Sequence, residues 1–237
     1  MKLSIIIPLY NEENLVIEVL NRMTEVVFPA FVTSHEIIIV DDCSTDRSLE
    51  NVKKFAAKKL NMKIISQPIN RGKGAAVRTG VASAAGDVFV IQDADMELSP
   101  MDIPSMLHAM HELKVQFING SRYLPGIARP LASYKRFLAN RFFTFITSIV
   151  IDVKLTDMAC AYKLVHKDLF NQLQLKEDRF GFEAELIIKA LRIKRNNIAE
   201  VPVRYFPRNE GEGKKLRNMD AFRILGTILK YGLLGVK

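Results

Sequence analysis

Tryptophan is absent from this sequence, and cysteine occurs only at positions 43 and 160. Two cysteines make neither a disulfide framework nor a cysteine metal cluster, so Cys43 and Cys160 fit a reducing compartment. No stretch reaches the roughly 18 to 20 apolar residues that a bilayer-spanning helix needs. The nearest runs, 142–151 (FFTFITSIVI) and 221–236, read as core or interfacial helices, so an integral membrane protein is not expected. The amino-terminal MKLSIIIPLYNEE is broken by Pro8 and Tyr10 and lacks a small-residue cleavage pattern; it reads as a first strand. Internal repeats and low-complexity tracts are missing. So is any basic stripe interleaved with aromatics, which leaves nucleic acid outside the expected partners.

What is present is ordinary globular material: 49% hydrophobic and 25% charged over 237 residues, enough for one large α/β domain. A net charge of +8 suggests a polyanionic partner, whether nucleic acid, nucleotide phosphates or an anionic membrane face. Short β-branched runs alternate with helical segments, the pattern of βαβ units around a mostly parallel sheet flanked by helices. Strands are predicted over 3–9, 36–40, 62–66, 87–92, 116–119, 161–165 and 200–206. Helices are predicted over 11–27, 48–60, 74–85, 100–114 and 182–195, with an apolar one starting near 135. The segment 208–217 (RNEGEGKKLR) has no apolar periodicity and reads as a mobile surface loop of the kind that closes over sites.

Acidic residues gather where these strands end. Asp93, Asp95 and Glu97 directly follow the apolar run VFVI, and ligands of open α/β sheets sit outside the carboxyl ends of strands. Alternate residues of an extended segment point the same way, so these three carboxylates are candidates to hold one cation. Oxygen-only ligands select Mg²⁺ or Mn²⁺ over zinc. The alternative is an acidic turn capping the helix that starts at Pro100. Asp41 and Asp42 end the second strand, two carboxylates where one would serve as a cap, and they suit hydrogen bonds to a nucleobase or ribose. Pro8, Tyr10, Glu12 and Glu13 end the first strand. Residues 70–74 (NRGKG) lack the spacing of a Walker A loop, so a glycine turn is the stronger reading there.

Together, IIIPLYNEE, IIIVDDCSTD, NRGKGAA, QDADME and GSRY resemble, in order and spacing, family 2 of the inverting glycosyltransferases, and within it the members that use polyprenyl phosphates. The resemblance implies a GT-A-type fold, with 1–120 as the nucleotide-sugar half and 121–237 as the acceptor half. It implies transfer of mannose or glucose from GDP-mannose or UDP-glucose to a polyprenyl (dolichyl-type) phosphate. Transfer to a sugar hydroxyl in surface polysaccharide synthesis is the alternative, and a non-catalytic nucleotide-sugar or nucleic-acid binding protein a remote one. By the same resemblance, Pro8, Tyr10, Glu12, Val40 and Asp42 hold the nucleoside, and Arg122 lies beside the donor. Asp93, Ala94 and Asp95 hold the diphosphate through the metal, with Glu97 as a further ligand. Arg208 and Lys214 close on the diphosphate, while Arg136 and Asn140 grip the acceptor phosphate. Asp157 is the candidate base if the acceptor is a hydroxyl. Lys135, Arg136 and Arg141 beside FFTFITSIVI suit docking on an anionic bilayer. The implied location is therefore the cytoplasmic face of a membrane, attached peripherally or through a separate membrane subunit.

Overall fold

The computed structural model of the chain describes all residues except 58, 129, 131, 132, 196, 209–217 and 234–237, and at 218–220 the backbone alone. Its centre is a seven-stranded sheet made of β1 (Lys2–Leu9), β2 (Ser34–Asp41), β3 (Met62–Ser66), β4 (Val88–Ile91), β5 (Phe117–Ser121), β6 (Lys163–His166) and β7 (Ile198–Pro202). The strand order is β3-β2-β1-β4-β6-β5-β7. Only β6 runs against its neighbours β4 and β5; the other pairings are parallel. The carboxyl ends of six strands therefore share one edge of the sheet. The mostly parallel α/β class expected from the sequence is the one observed.

Period-two alternation divides the strand side chains between two cores. Leu3, Ile5, Ile7 and Leu9 pack with α1 (Val16–Thr24), α2 (Ser48–Ala56) and α4 (Ile103–Leu113), the last entered through a short 3-10 turn at Pro100–Asp102. Ile6, Ile38 and Val40 pack on the other face. That face carries α3 (Lys73–Ser83), α5 (Tyr134–Ile151), α6 (Lys167–Leu173), α7 (Phe182–Lys194) and α8 (Asn218–Gly232). Gly80 lets α3 lie directly on the sheet: a Cβ there would stand 2.5 Å from Ile6 Cγ2.

Three elements differ from expectation. Helix α1 starts at Val16, not at residue 11, because side chains of the second acidic cluster take the intervening N–H groups. Ser44 Oγ accepts from Asn11 N, Ser48 Oγ from Glu12 N and Asp46 from Glu13 N, and Asn11 adopts φ 50°. Such bonds compete with helix. Strand β7 stops at Pro202, since Arg204 N turns to Asp102 and Tyr205 pairs with Leu98 beyond the sheet. Helix α6, seven residues long, was not anticipated. Among the described residues no helix is long and apolar enough to cross a membrane.

Candidate active site

The loop after β4 is held in shape from below. Gln92 is buried; its side-chain oxygen accepts from Tyr162 Oη at 2.5 Å and its amide donates to the carbonyls of Asp93 (2.9 Å) and Leu98 (3.4 Å). Met96 takes φ 60°, turning the chain so that Glu97 N donates to Asp95 Oδ1 at 3.1 Å. The segment after β7 then lies along this loop: Phe206 N donates to Glu97 O at 2.9 Å, and Leu98 and Tyr205 form a bridge. This pairing delivers Arg208 to the acidic groups. Its Nε donates to Asp95 O at 2.9 Å, its terminal nitrogens to Glu12 at 2.6 and 3.3 Å, and its main-chain N–H to Glu97 Oε1 at 3.3 Å.

Electrostatics follow from this crowding. Burial, together with the charges of Asp93 and Glu97, pushes the Asp95 carboxyl up to about 7; the Glu97 N–H and Arg208 offset part of the rise. Asp93 meets Lys73, the first residue of α3, at 2.7 Å, and Lys73 also meets Glu183 of α7 at 2.9 Å. Burial alone would lower the Lys73 pKa, but Asp93 and Glu183 reverse the sign and hold the ammonium above its ordinary value. Lys73 and Glu183 were missed as site residues: the first was read as part of a glycine turn, the second only as helix. The turn reading holds for the backbone, with Gly72 at φ 101°. The N–H of Ala75 at the start of α3 is taken by the carbonyl of Asp178.

The other expected donor residues line the same edge. Both oxygens of Asp42 accept main-chain N–H groups, from Arg71 at 2.8 Å and Gly72 at 2.7 Å, and so fix the loop that leads into α3. Pro8 and Tyr10 are half-buried at the end of β1. Val40 and Ala94 face the core, so whatever they offer a ligand is main chain. Lys214 lies outside the described residues, as does the rest of 209–217.

The residues expected on the acceptor side form a network of their own. Asp157 is fully buried and accepts from Arg122 N (3.0 Å), Nε (2.7 Å) and a terminal nitrogen (2.9 Å), and from Asn140 Nδ2 (2.8 Å). Burial would raise its pKa, but the Arg122 guanidinium and the Asn140 amide hold it below the usual carboxylate range. Glu200 fixes the same loop through Thr156 and Asn119. Asp157, the candidate base for a hydroxyl acceptor, is thus ion-paired to Arg122 in this structure. Asn140 donates to Asp157 and its oxygen accepts from Thr144 Oγ1 at 3.0 Å. Burial and Glu97 push the Tyr205 hydroxyl up to about 12 against the pull of Arg122 and Arg136. The Arg122 guanidinium lies 5.1 Å from the Tyr205 ring.

Among the described residues, no three His, Cys, Asp or Glu side chains form a metal cage. Mg²⁺ and related ions are commonly held by one or two carboxylates completed by substrate phosphates. Asp95 beside Glu97 fits that incomplete, all-oxygen donor set, and the raised Asp95 pKa marks a carboxylate short of positive charge.

The family model described as Glycosyl transferase family 2 matches residues 4–174. The chain belongs to that family. Among family 2 relatives it is 30% identical to the dolichol-phosphate mannosyltransferase of Pyrococcus furiosus, over 97% of this chain and 63% of that protein. It is 27% identical to the dodecaprenyl-phosphate galacturonate synthase of Rhizobium johnstonii, over 90% of this chain and 62% of the relative. With the Saccharomyces cerevisiae dolichol-phosphate mannosyltransferase the identity is 29%, over 89% and 80%. The chain thus spans less than two thirds of the length of the first two. Its fold matches the crystal structure of Mycobacterium tuberculosis glucosyl-3-phosphoglycerate synthase in complex with Mn²⁺, UDP and glucosyl-3-phosphoglycerate. The TM-score is 0.73 at 19% identity, over 100% of this chain and 81% of that one. The GT-A-type architecture expected from the sequence is therefore present.

Proposed function

We propose that the chain transfers a hexose, with inversion, from a nucleotide-diphosphate sugar to a polyprenyl phosphate. The observation that carries this reading is Arg208, seated by the segment after β7 between Glu12 and the Asp95–Glu97 loop at the carboxyl edge of the sheet. A guanidinium there meets the departing diphosphate, where charge develops as the sugar leaves. The named activities of the relatives, on dolichol and dodecaprenyl phosphates, point to the same acceptor class.

In this reading the Tyr10–Glu12 turn and Asp42 bound the nucleoside, and Arg208 with Lys214 neutralises the leaving group. Mg²⁺ or Mn²⁺, held by Asp95 with Glu97 and the diphosphate oxygens, would supply Lewis-acid stabilisation of that leaving group. The acceptor enters beside Arg122 and Arg136. A phosphate monoester is largely ionised at neutral pH, with a second pKa of about 6, and needs no base. That suits a site whose candidate base is locked in an ion pair; a hydroxyl acceptor would require one.

The surface favours a lipid acceptor. On α5, Tyr134, Leu138, Phe142, Phe145 and Ile149 form an exposed stripe at helical spacing; on α8, packed beside it, Phe222 and Leu229 are exposed, as is Leu233 just past its end. Lys135 and Arg141 are exposed on α5 as well. Apolar groups flanked by cations suit peripheral attachment to an anionic bilayer, with or without a membrane subunit. The test is transfer of labelled sugar from GDP-mannose and UDP-glucose to a short-chain polyprenyl phosphate, with Mg²⁺, Mn²⁺ or chelator. Chelator-sensitive, lipid-dependent product from one donor is expected. Donor binding without any product would overturn the acceptor assignment, and absence of donor binding would overturn the transferase reading itself.

A further inference from the structure

Lys73 leaves the first turn of α3 toward the acidic loop and stands 2.7 Å from Asp93 Oδ1 and 2.9 Å from Asp93 Oδ2. Glu183, from α7 in the acceptor half, holds the same ammonium at 2.9 Å. The three side chains are largely out of solvent: 19% of Lys73, 23% of Asp93 and 12% of Glu183 is exposed. An ammonium that touches both oxygens of a carboxylate occupies the ground a divalent cation would need in order to be held by that carboxylate, and two like charges do not share it.

We infer that Lys73, braced by Glu183, is the positioning residue of Asp93: it withholds this carboxylate from the cation and cancels its charge against the incoming diphosphate. The cation is thereby left to Asp95 and Glu97. The inference rests on the transferase reading and extends it to two residues outside the acidic loop. It also gives the pairing across the halves a purpose. The residue that sets the charge of the donor site is also contacted from the acceptor half, by Glu183 of α7.

The test measures binding of Mn²⁺ alone by electron paramagnetic resonance and of GDP and UDP by calorimetry, on the full chain, for wild type, Lys73→Met, Glu183→Gln and the double variant. Removing a residue that orients a metal site commonly moves metal affinity by about 10- to 100-fold. Here the expected direction for Lys73→Met is tighter Mn²⁺ binding, by about tenfold, because Asp93 becomes available, with metal-free nucleotide binding weakened by a similar factor. Glu183→Gln keeps Lys73 on Asp93 and is expected to leave both within about threefold of wild type. If Lys73→Met fails to fold, the double variant leaves one carboxylate unpaired instead of two and carries the same expectation. A folded Lys73→Met or double variant whose Mn²⁺ and nucleotide affinities both match wild type would overturn the inference. Failure of the transferase reading looks different, since wild type itself would then bind neither nucleotide.

Discussion

Asp157→Asn removes charge from the most heavily committed carboxylate near the site while keeping its shape. Three contacts from Arg122 and one from Asn140 converge on it at 2.7–3.0 Å, and it has no exposed surface. Breaking a buried pair by neutralising one partner leaves the other uncompensated and costs about 3–5 kcal/mol. For a domain of this size each kcal/mol lowers Tm by about 2–4 °C, so the variant should melt about 6–20 °C below wild type at pH 7. The pH dependence has a definite sign. The folded pKa of Asp157 is depressed, because Arg122 and Asn140 outweigh the opposing effect of burial. Its contribution is therefore complete above the unfolded value of about 3.9 and is lost as pH falls through the folded value. Asp157→Asn should thus lose stability at neutral pH and show a shallower acid limb. Thermal melts of wild type, Asp157→Asn, Arg122→Gln and the double variant between pH 3 and 7 measure both effects, and the cycle isolates the pair's coupling. A Tm within about 2 °C of wild type at pH 7, with an unchanged acid limb, would refute the anchor account.

Arg208→Ala should reduce kcat/KM for sugar transfer by about 10²–10³-fold, the range for losing one charge-stabilising group at a reacting centre; a loss below about fivefold in the steady-state assay would remove Arg208 from the chemistry. Asp95 is pushed up to about 7 by burial and by Asp93 and Glu97, so below that pH the folded chain holds a proton that a cation must displace. Mn²⁺ affinity should fall about tenfold per pH unit below 7 and level off above it, and a flat titration from pH 5 to 8 would contradict the role given to Asp95. Gly80→Ala would drive a methyl to 2.5 Å from Ile6 Cγ2 where α3 lies on β1. Overpacking of this kind costs about 1–3 kcal/mol, visible as a lower midpoint in urea with unchanged slope.

The sheet was legible in the sequence because its central strands are continuous β-branched runs buried on both faces; IIIV in β2 has no competing helical reading. What the sequence concealed is of two kinds. Side chains that replace regular backbone bonds, as Ser44, Asp46 and Ser48 do for Asn11–Glu13, end elements without altering apolar periodicity, so α1 was drawn too long. Partners far apart in the chain were concealed as well. Glu12 and Arg208 are 196 positions apart and Arg122 and Asp157 35, and nothing local in either segment says that they meet. The acidic loop was found because its residues are consecutive. The identity of its counter-ions, Lys73 above all, depended on strand order. The ion pair of Asp157 was concealed for the same reason, since a carboxylate in TDMACAYK looks free until Arg122 is placed against it.

The charge of the assembled site argues for a cation independently of any relative. Glu12, Asp93 and Glu183 are ion-paired to two cations, Lys73 and Arg208, and Arg208 also donates to the Asp95 carbonyl and, through its main-chain N–H, to Glu97 Oε1. The crowding shows at Asp95, whose carboxyl is pushed up to about 7 by burial and by the charges of Asp93 and Glu97. A nucleoside diphosphate brings further negative charge into the same low-dielectric edge, where like charges repel more strongly than in water. Positive charge entering with the donor would offset this repulsion. Arg208 cannot supply all of it, because the guanidinium that would meet the diphosphate is already paired with Glu12. A metal ion arriving with the diphosphate would answer both needs at once, displacing the proton from Asp95 and leaving Arg208 to exchange Glu12 for the leaving group.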